Sequence, residues 1–138
     1  MMKLVRWVLP LSFLCIAGAA NAQAPTEYTL TVKPTALKVG QPGTVEVVIT
    51  SNGPWHWNSE FPAKLEFAAA NTTIARPLLR QADGDFKGDA TTVTATFAVT
   101  ATQAGARQGM LTGKLGFCDD KVCVTKKVEL PVSVVATP

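Results

Sequence analysis

The sequence has few of the side chains on which enzyme active sites and metal sites are built. It contains a single histidine, His56, and only three cysteines among its 138 residues. A catalytic triad needs a nucleophile and a base that a third group orients, and the sequence offers no evident partner for His56. A lone histidine is also a poor metal site, because proteins hold metal ions with several ligands at once. We therefore expect no metal ion and no cofactor.

Long basic runs are missing as well. The longest is the pair Lys126 and Lys127, although Lys and Arg together outnumber Asp and Glu by 13 to 10. Nucleic-acid binding depends on clustered cations that neutralise phosphates, and this charge pattern does not provide them. We therefore expect no nucleic-acid partner.

The amino terminus carries an apolar run at residues 7–20, with Pro10 inside it, and its surroundings indicate a secretory signal peptide. Two cations precede it, and residues 20–22, Ala-Asn-Ala, have the small-x-small pattern that signal peptidase accepts. The stretch is too short to span a bilayer comfortably, and Leu14 before Cys15 is too large for a lipoprotein signal. We expect cleavage after residue 22, a single mature domain at 23–138 without a transmembrane segment, and a periplasmic or secreted location.

Cleavage changes both the charge and the cysteine count. It removes two cations, which lowers the net charge of +3 by two and leaves the mature protein nearly neutral. It also removes Cys15, so that Cys118 and Cys123 remain as one pair in a compartment that favours disulfides.

The mature chain lacks helical patterns and has the alternation typical of strands. No segment places apolar residues at helical spacing behind a helix cap. Period-2 alternation or long apolar-rich runs mark the expected strands, at residues 28–33, 45–49, 92–100, 107–118 and 123–135. Residues 63–67 and 73–80 are weaker candidates, and in the second Pro77 indicates an edge strand or a bulge. The pattern predicts an all-β fold, an immunoglobulin-like antiparallel β-sandwich of about seven to nine strands, although strand spacing alone does not exclude a small barrel.

The two long runs on either side of the cysteines are expected to pair as a hairpin. If Cys118 lies opposite Cys123, one face of the hairpin is largely apolar and the other, which carries both cysteines, is polar. In this register Lys114 falls opposite Lys127, and Lys126 falls on the apolar face. Because both placements are unfavourable, we expect a bulge that shifts the register partway along the hairpin.

A disulfide between Cys118 and Cys123 is sterically reasonable and closes a very short loop. Opposed residues in an antiparallel pair have Cα atoms roughly 4.5 to 5.5 Å apart, a separation that a disulfide tolerates. Chain-entropy arguments give so short a loop about 2 kcal/mol of stabilisation. A disulfide that adds little stability and lies at a solvent-facing hairpin tip is a candidate for exchange with another thiol. The alternative is an inert structural bond, which exported β proteins often carry.

A second unusual segment, residues 53–62, contains Trp55, His56, Trp57 and Phe61. Glycine and proline at its ends indicate a loop or an edge strand that the chain enters and leaves sharply. Either the two tryptophans close one end of the sandwich, given the area that each ring buries, or the four side chains form a contact surface for a partner.

The cysteine segment resembles that of a known family. Residues 113–124, with the sequence GKLGFCDDKVCV, are similar to the cysteine segment of the amino-terminal periplasmic domain of DsbD-type thiol:disulfide interchange proteins. The resemblance implies an immunoglobulin-like domain directly after a signal peptide. It also implies that Cys118 and Cys123 pass reducing equivalents from a membrane partner to periplasmic thioredoxin-like proteins.

This chain departs from the family in two respects. The family's electron donor is a transmembrane domain later in the same chain, whereas this chain stops at residue 138, so the resemblance implies a stand-alone relative. The family also has an aromatic cap loop that shields the disulfide. Here Phe86 or the region around Trp55 is the candidate for that cap.

Two functions therefore follow from the sequence. The first is thiol-disulfide exchange through Cys118 and Cys123, with thioredoxin-like or other periplasmic thiol proteins as partners. The second is a non-catalytic binding module, in which the disulfide is inert and residues 55–61 form a contact loop for an unidentified protein ligand.

Overall fold

The computed structural model describes residues 26–33 and 36–138. The predicted signal peptide lies outside these described residues. Within them, no helix is long and apolar enough to cross a membrane. The helical structure in this part of the chain is one 3-10 turn, Gln81–Asp83.

Short and long strands build the fold, and the described residues form eleven of them. In chain order they are β1 (Tyr28–Lys33), β2 (Ala36–Lys38), β3 (Gly43–Ser51), β4 (His56–Trp57), β5 (Lys64–Ala69), β6 (Thr72–Ile74), β7 (Leu78–Arg80), β8 (Lys87–Gly88), β9 (Thr92–Ala101), β10 (Gly105–Cys118) and β11 (Cys123–Thr137). The sequence predicted fewer strands because five of the eleven have only two or three residues. Such strands are too short to show an alternating pattern.

The strands form two sheets, which confirms the predicted β-sandwich. One sheet has the order β1-β3-β9-β6, with β8 also paired to β9, and the other has the order β2-β11-β10-β5-β7, with β4 paired to β10. All pairings between described strands are antiparallel except that of β2 with β11. With β1, β3, β9 and β6 facing β5, β10 and β11, the order is that of the ABED and CFG sheets of the immunoglobulin fold.

Pro77 marks the place where the chain changes sheets. Before it, β6 pairs with β9 in the first sheet, and after it, β7 pairs with β5 in the second. Both are edge strands, as the proline indicated. The single strand expected over residues 73–80 is therefore two strands, because proline interrupts the ladder between them.

The core lies between the sheets and is filled by alternate residues of the longer strands. The largest fully buried side chains are Phe67, Phe97, Phe117, Ile49, Leu65, Leu111, Leu115, Val47 and Val99. No polar or charged residue among those described is buried. The sandwich is therefore held by an apolar core, and its polar groups lie at the surface.

The β10–β11 hairpin has the predicted register along its whole length. Pairing runs without interruption from Cys118 opposite Cys123 to Gly105 opposite Ala136. The expectation of a bulge is therefore wrong. Lys114 does lie opposite Lys127, and the hairpin accommodates this pair without a shift.

Lys126 shows why no bulge is needed at the apolar face. It lies opposite Leu115, as the register requires, and its Nζ is 2.8 Å from Oε1 of Glu27. The hydrogen bond from Lys126 lowers the pKa of Glu27 below its usual value. A partly buried charge that has an ion-pair partner is tolerated on the apolar face, so the register of the strand does not need to shift. The pair also ties β11 to the residue before β1, which belongs to the other sheet.

Candidate functional site

The turn between β10 and β11 is held by Asp119. Its N–H donates to the carbonyl of Val122 at 2.9 Å, and its Oδ1 accepts from the N–H groups of Val122 at 2.7 Å and Lys121 at 2.8 Å. These bonds to the charged form, from Val122 and then Lys121, lower the pKa of Asp119 below its usual value. Aspartate is a favoured turn residue because it makes such local bonds. The turn thereby aligns the ends of the two strands.

Cys118 and Cys123 lie opposite each other at the end of the hairpin and are bonded. Their Cα atoms are 4.0 Å apart, closest to the spacing of about 4.5 Å at the non-hydrogen-bonded positions of an antiparallel pair. The two residues differ in exposure, since Cys118 is half-buried and Cys123 is exposed.

The only histidine of the sequence lies beside the disulfide. The short strand β4 pairs with the end of β10, and this places His56 opposite Cys118. Directly opposed side chains share a face, with Cβ atoms roughly 4.5 to 5.5 Å apart. His56, Cys118 and Cys123 thus form one row across three neighbouring strands. The charge of His56 also contributes to the lowered pKa of Asp119.

The aromatic segment and the cysteines, two separate features in the sequence, therefore belong to one site. The sequence offered the region around Trp55 as one of two candidates for a cap over the disulfide, but it did not predict the strand pairing, because β4 has only two residues and lies far from β10 along the chain. The signal that was present is the glycine and prolines around the segment, which indicated a sharply bounded edge strand.

Both tryptophans of the described chain close this end of the sandwich. Trp57 is 6% exposed, and its ring centroid lies 5.2 Å from that of Phe86 and 5.7 Å from that of Phe117. Trp55 is half-buried and packs against the same core. Phe86, at 8% exposure, is a core residue. The expectation that Phe86 caps the disulfide is therefore wrong.

Phe61 covers the strand just before Cys118. A Cβ atom placed on Gly116 would lie 2.5 Å from both Cβ and Cγ of Phe61, so the ring packs directly on the backbone of β10. Gly116 and Cys118 are two residues apart and share a face. The segment is anchored there by the N–H of Asn58, which donates to the carbonyl of Gly116 at 2.9 Å. Phe61 and His56 are thus the members of the aromatic segment that border the disulfide.

The chemistry available at this site is limited and specific. Among the described residues, no group of three or more His, Cys, Asp or Glu side chains is placed to hold a metal ion. The site combines a partly exposed disulfide, an imidazole, a carboxylate held in the turn and a covering phenyl ring. These groups suit exchange of the disulfide with the thiols of a second molecule.

The chain is distantly similar to several solved structures. No family model matches the chain, and no curated protein does. AggA, the major subunit of aggregative adherence fimbriae type I from Escherichia coli, is 10% identical at a TM-score of 0.40, covering 80% of this chain and 94% of that one. A conjugative transposon lipoprotein from Bacteroides eggerthii is 13% identical at a TM-score of 0.42, covering 80% and 98%.

A third solved structure, PapD-like domain 7 of human CEP192, is 8% identical at a TM-score of 0.35, covering 100% of this chain and 99% of that one. Likenesses at this level carry no conclusion about activity or partners. The resemblance to DsbD-type domains therefore rests on residues 113–124 of the sequence.

Proposed function

We propose that the protein exchanges disulfides with other thiol proteins outside the cytoplasm, by reversible opening of the Cys118–Cys123 bond. The observation that carries this proposal is the exposure of Cys123 at the tip of the hairpin, bonded to a half-buried Cys118. A bond that closes so short a loop adds little stability, so the fold does not depend on it. Thioredoxin-like proteins are the partners that the DsbD-type resemblance implies, and the predicted signal peptide implies a periplasmic or secreted location.

Exchange begins at Cys123. A partner thiolate attacks Sγ of Cys123, a mixed disulfide forms, the Cys118–Cys123 bond breaks, and Cys118 leaves as a thiolate. A second partner thiolate then attacks the partner's own sulfur in the mixed disulfide and releases the Cys123 thiolate. The partner ends as a disulfide, while Cys118 and Cys123 have gained two electrons and take up two protons. The reverse sequence reduces a partner disulfide.

His56 is placed to help Cys118 leave. It lies directly opposite Cys118 and is exposed to solvent. A protonated imidazole stabilises a neighbouring thiolate, and a more stable thiolate leaves faster. The order of His56, Cys118 and Cys123 in the row supports the exchange proposal, with the attacked sulfur outermost and the leaving sulfur next to an imidazole.

The alternative is a non-catalytic binding module with an inert disulfide and a contact loop at residues 55–61. Trp57 is 6% exposed and Phe61 packs on Gly116. Such a loop would depend on the exposed His56 and on the half-buried Trp55 and Phe61 for its contacts. Since large exposed side chains usually carry the binding energy of an interface, this arrangement favours the exchange proposal.

Equilibration of the mature protein in graded glutathione buffers tests the proposal. We expect the two thiols to appear with a midpoint well above about −300 mV, the level below which structural disulfides typically lie. Free thiols are counted after an acid quench at each buffer composition. A bond that stays closed at every physiological redox potential would contradict exchange and would indicate an inert structural disulfide.

The roles of the two sulfurs are tested with single variants. Cys118→Ser leaves the exposed thiol of Cys123, and Cys123→Ser leaves the half-buried thiol of Cys118. We expect the first variant to form a mixed disulfide with oxidised glutathione faster than the second, because access differs. Equal rates would contradict the assignment of Cys123 as the attacked sulfur.

A further inference from the structure

Four cations occupy one row across the outer face of the second sheet. Arg80 lies opposite Lys64, Lys64 opposite Lys114, and Lys114 opposite Lys127, on the neighbouring strands β7, β5, β10 and β11. All four residues are exposed. Adjacent strands lie about 4.8 Å apart, so the row spans about 15 Å. We call these four residues the cationic row.

The cationic row is unfavourable for the fold itself, because like charges directly opposite each other in a sheet are destabilising. Among the described residues, Lys127 has an ion-pair partner, Glu129 at 2.9 Å, and both side chains are exposed. Glu66, two residues after Lys64, forms no ion pair with any described residue. The mature chain is nearly neutral, so the row does not simply follow from a basic composition. Local features that oppose folding are expected at functional surfaces.

A shallow trough follows the cationic row. Lys64, Leu78 and Lys114 line both of two depressions, with volumes of about 250 and 490 Å³. Lys127 lines the first depression and Phe61 lines the second. Because the two depressions share three residues, they adjoin. Glu66 also lines the first depression, so the trough presents cations, one carboxylate and apolar side chains together.

The cationic row lies on the same face of the sheet as the disulfide. Lys114, Gly116 and Cys118 lie on the same face of β10 in steps of two, and Phe61 covers Gly116 between them. Along the strand Lys114 and Cys118 are about 13 Å apart. A chain segment seated on the cationic row would therefore bring the neighbouring part of the same molecule close to Cys123.

We propose that the cationic row docks an acidic segment of the thiol protein with which Cys118 and Cys123 exchange disulfides. The inference rests on the proposed function and adds the chemistry of the partner, an extended segment in which carboxylates alternate with apolar residues. Carboxylates would offset the repulsion within the row and steer the encounter. An anionic membrane suits the surface less, because the cations line a depression shared with Leu78 and Phe61.

Docking is tested apart from redox chemistry with the Cys118→Ser, Cys123→Ser variant and a fluorescein-labelled peptide, Glu-Val-Glu-Val-Glu-Val-Glu. We expect binding that weakens as salt rises and no binding of the same peptide with Gln in place of Glu. Adding Lys64→Gln and Lys114→Gln should weaken the binding at least about tenfold. Because these two changes relieve like-charge repulsion, the variant is expected to fold.

Lys38→Gln with Lys87→Gln is the matched control, since it removes the same charge from exposed lysines outside the cationic row. An equal loss of binding in both double variants would overturn the proposal, because net charge alone would then explain it. Binding to phosphatidylglycerol vesicles without binding to the peptide would also overturn it. So would the absence of peptide binding, a result that leaves the glutathione titration unaffected.

The position of the docked segment is tested with the same acidic peptide extended by two cysteines. We expect it to reduce the wild-type disulfide faster than the Gln version does, and Lys64→Gln with Lys114→Gln to remove most of that difference. Equal rates for the two peptides would overturn the placement beside the disulfide. If neither peptide opens the bond while the labelled peptide still binds, the exchange function fails and the docking surface stands.

Discussion

At the residue scale, the neighbours of Cys118 determine how readily its bond opens. His56 lies opposite it across the sheet, and Asp119 follows it in the turn. A cation stabilises the departing thiolate, whereas a carboxylate opposes it. The carboxylate of Asp119 is engaged by two backbone N–H groups, which attenuates its effect on the sulfur. In the proposed exchange, the balance would therefore favour departure of Cys118.

The contribution of His56 leads to the first prediction. We expect His56→Gln to slow reduction of the disulfide by glutathione several-fold, because the thiolate of Cys118 loses its neighbouring imidazole. Stability should be unchanged, since His56 is exposed. Reduction rates are measured with Lys121→Gln as a control, and equal rates for His56→Gln and wild type would contradict the role.

Asp85 directly precedes Phe86, whose ring packs on Trp57 at the end of the sandwich that carries the site. The guanidinium of Arg76 donates to both carboxylate oxygens, at 2.6 and 2.8 Å, and the N–H of Arg80 donates at 2.9 Å. The hydrogen bonds from Arg76 lower the pKa of Asp85 below its ordinary value of 3.8. A carboxyl group with a lowered pKa in the folded state contributes stability above its ordinary pKa. That contribution is lost as pH falls through the lowered value.

We therefore expect Asp85→Asn to reduce the free energy of unfolding at neutral pH by up to about 1 kcal/mol, the range of solvent-screened ion pairs. The difference from wild type should vanish at acidic pH, where the wild-type carboxyl is protonated. Urea denaturation at both pH values measures it. Asp83→Asn is the matched control, because Asp83 meets Arg76 at 3.6 Å and is half exposed. A loss that is the same at neutral and acidic pH would exclude the ion pair as its cause.

At the scale of elements, the sequence predicts the hairpin and its register, apart from a bulge that is absent, but it does not predict that the edge strand β4 pairs with β10. Alternation and the short turn determine the β10–β11 register, because both are local. The pairing of β4 depends on a contact between distant segments and on only two residues, which show no period. Lys126 led to the wrong expectation of a bulge because its partner is also distant in sequence. That partner, Glu27, lies near the amino-terminal end of the predicted mature chain.

The contact between the aromatic segment and β10 gives the next prediction. A Cβ atom at Gly116 would overlap Phe61, so we expect Gly116→Ala to displace the ring and to cost about 1 to 3 kcal/mol of stability. Displacement also uncovers the strand next to Cys118, so reduction by glutathione should accelerate. Denaturation and reduction rates are measured in parallel.

Phe61→Ala is the matched variant for this test, because it removes the ring without an overlap. We expect it to accelerate reduction as Gly116→Ala does. If both variants lose stability while their reduction rates stay at the wild-type value, Phe61 supports the fold without shielding the disulfide.

At the scale of the whole molecule, one sheet carries all the proposed chemistry and the other supports it. The disulfide, His56 and the cationic row lie on the sheet that contains β10 and β11. Two contacts hold this end of that sheet against β1 and the residue before it. They are the ion pair of Lys126 with Glu27 and the stacked rings of Tyr28 and Phe117. The position of the hairpin tip therefore depends on the contact between the sheets.

Tyr28 reports on this contact because it is the only tyrosine of the sequence. It is 6% exposed, and its ring lies 4.9 Å from that of Phe117 at an interplanar angle of 8°. Burial raises the pKa of its hydroxyl above the ordinary value of 10.0. A folded state that holds this proton more tightly is stabilised below the ordinary pKa. That contribution falls away as pH rises through the raised value.

We expect an alkaline titration of the mature protein to show tyrosinate absorbance only above the ordinary pKa, together with loosening of the sheet contact. Tyr28→Phe keeps the stacked ring and has no proton to lose, so it should stay folded to higher pH than wild type while matching it at neutral pH. Absorbance and circular dichroism followed in the same samples test this. Ionisation near pH 10.0 with the fold intact would mean that the Tyr28 hydroxyl is open to solvent and that the sheet contact does not depend on its proton.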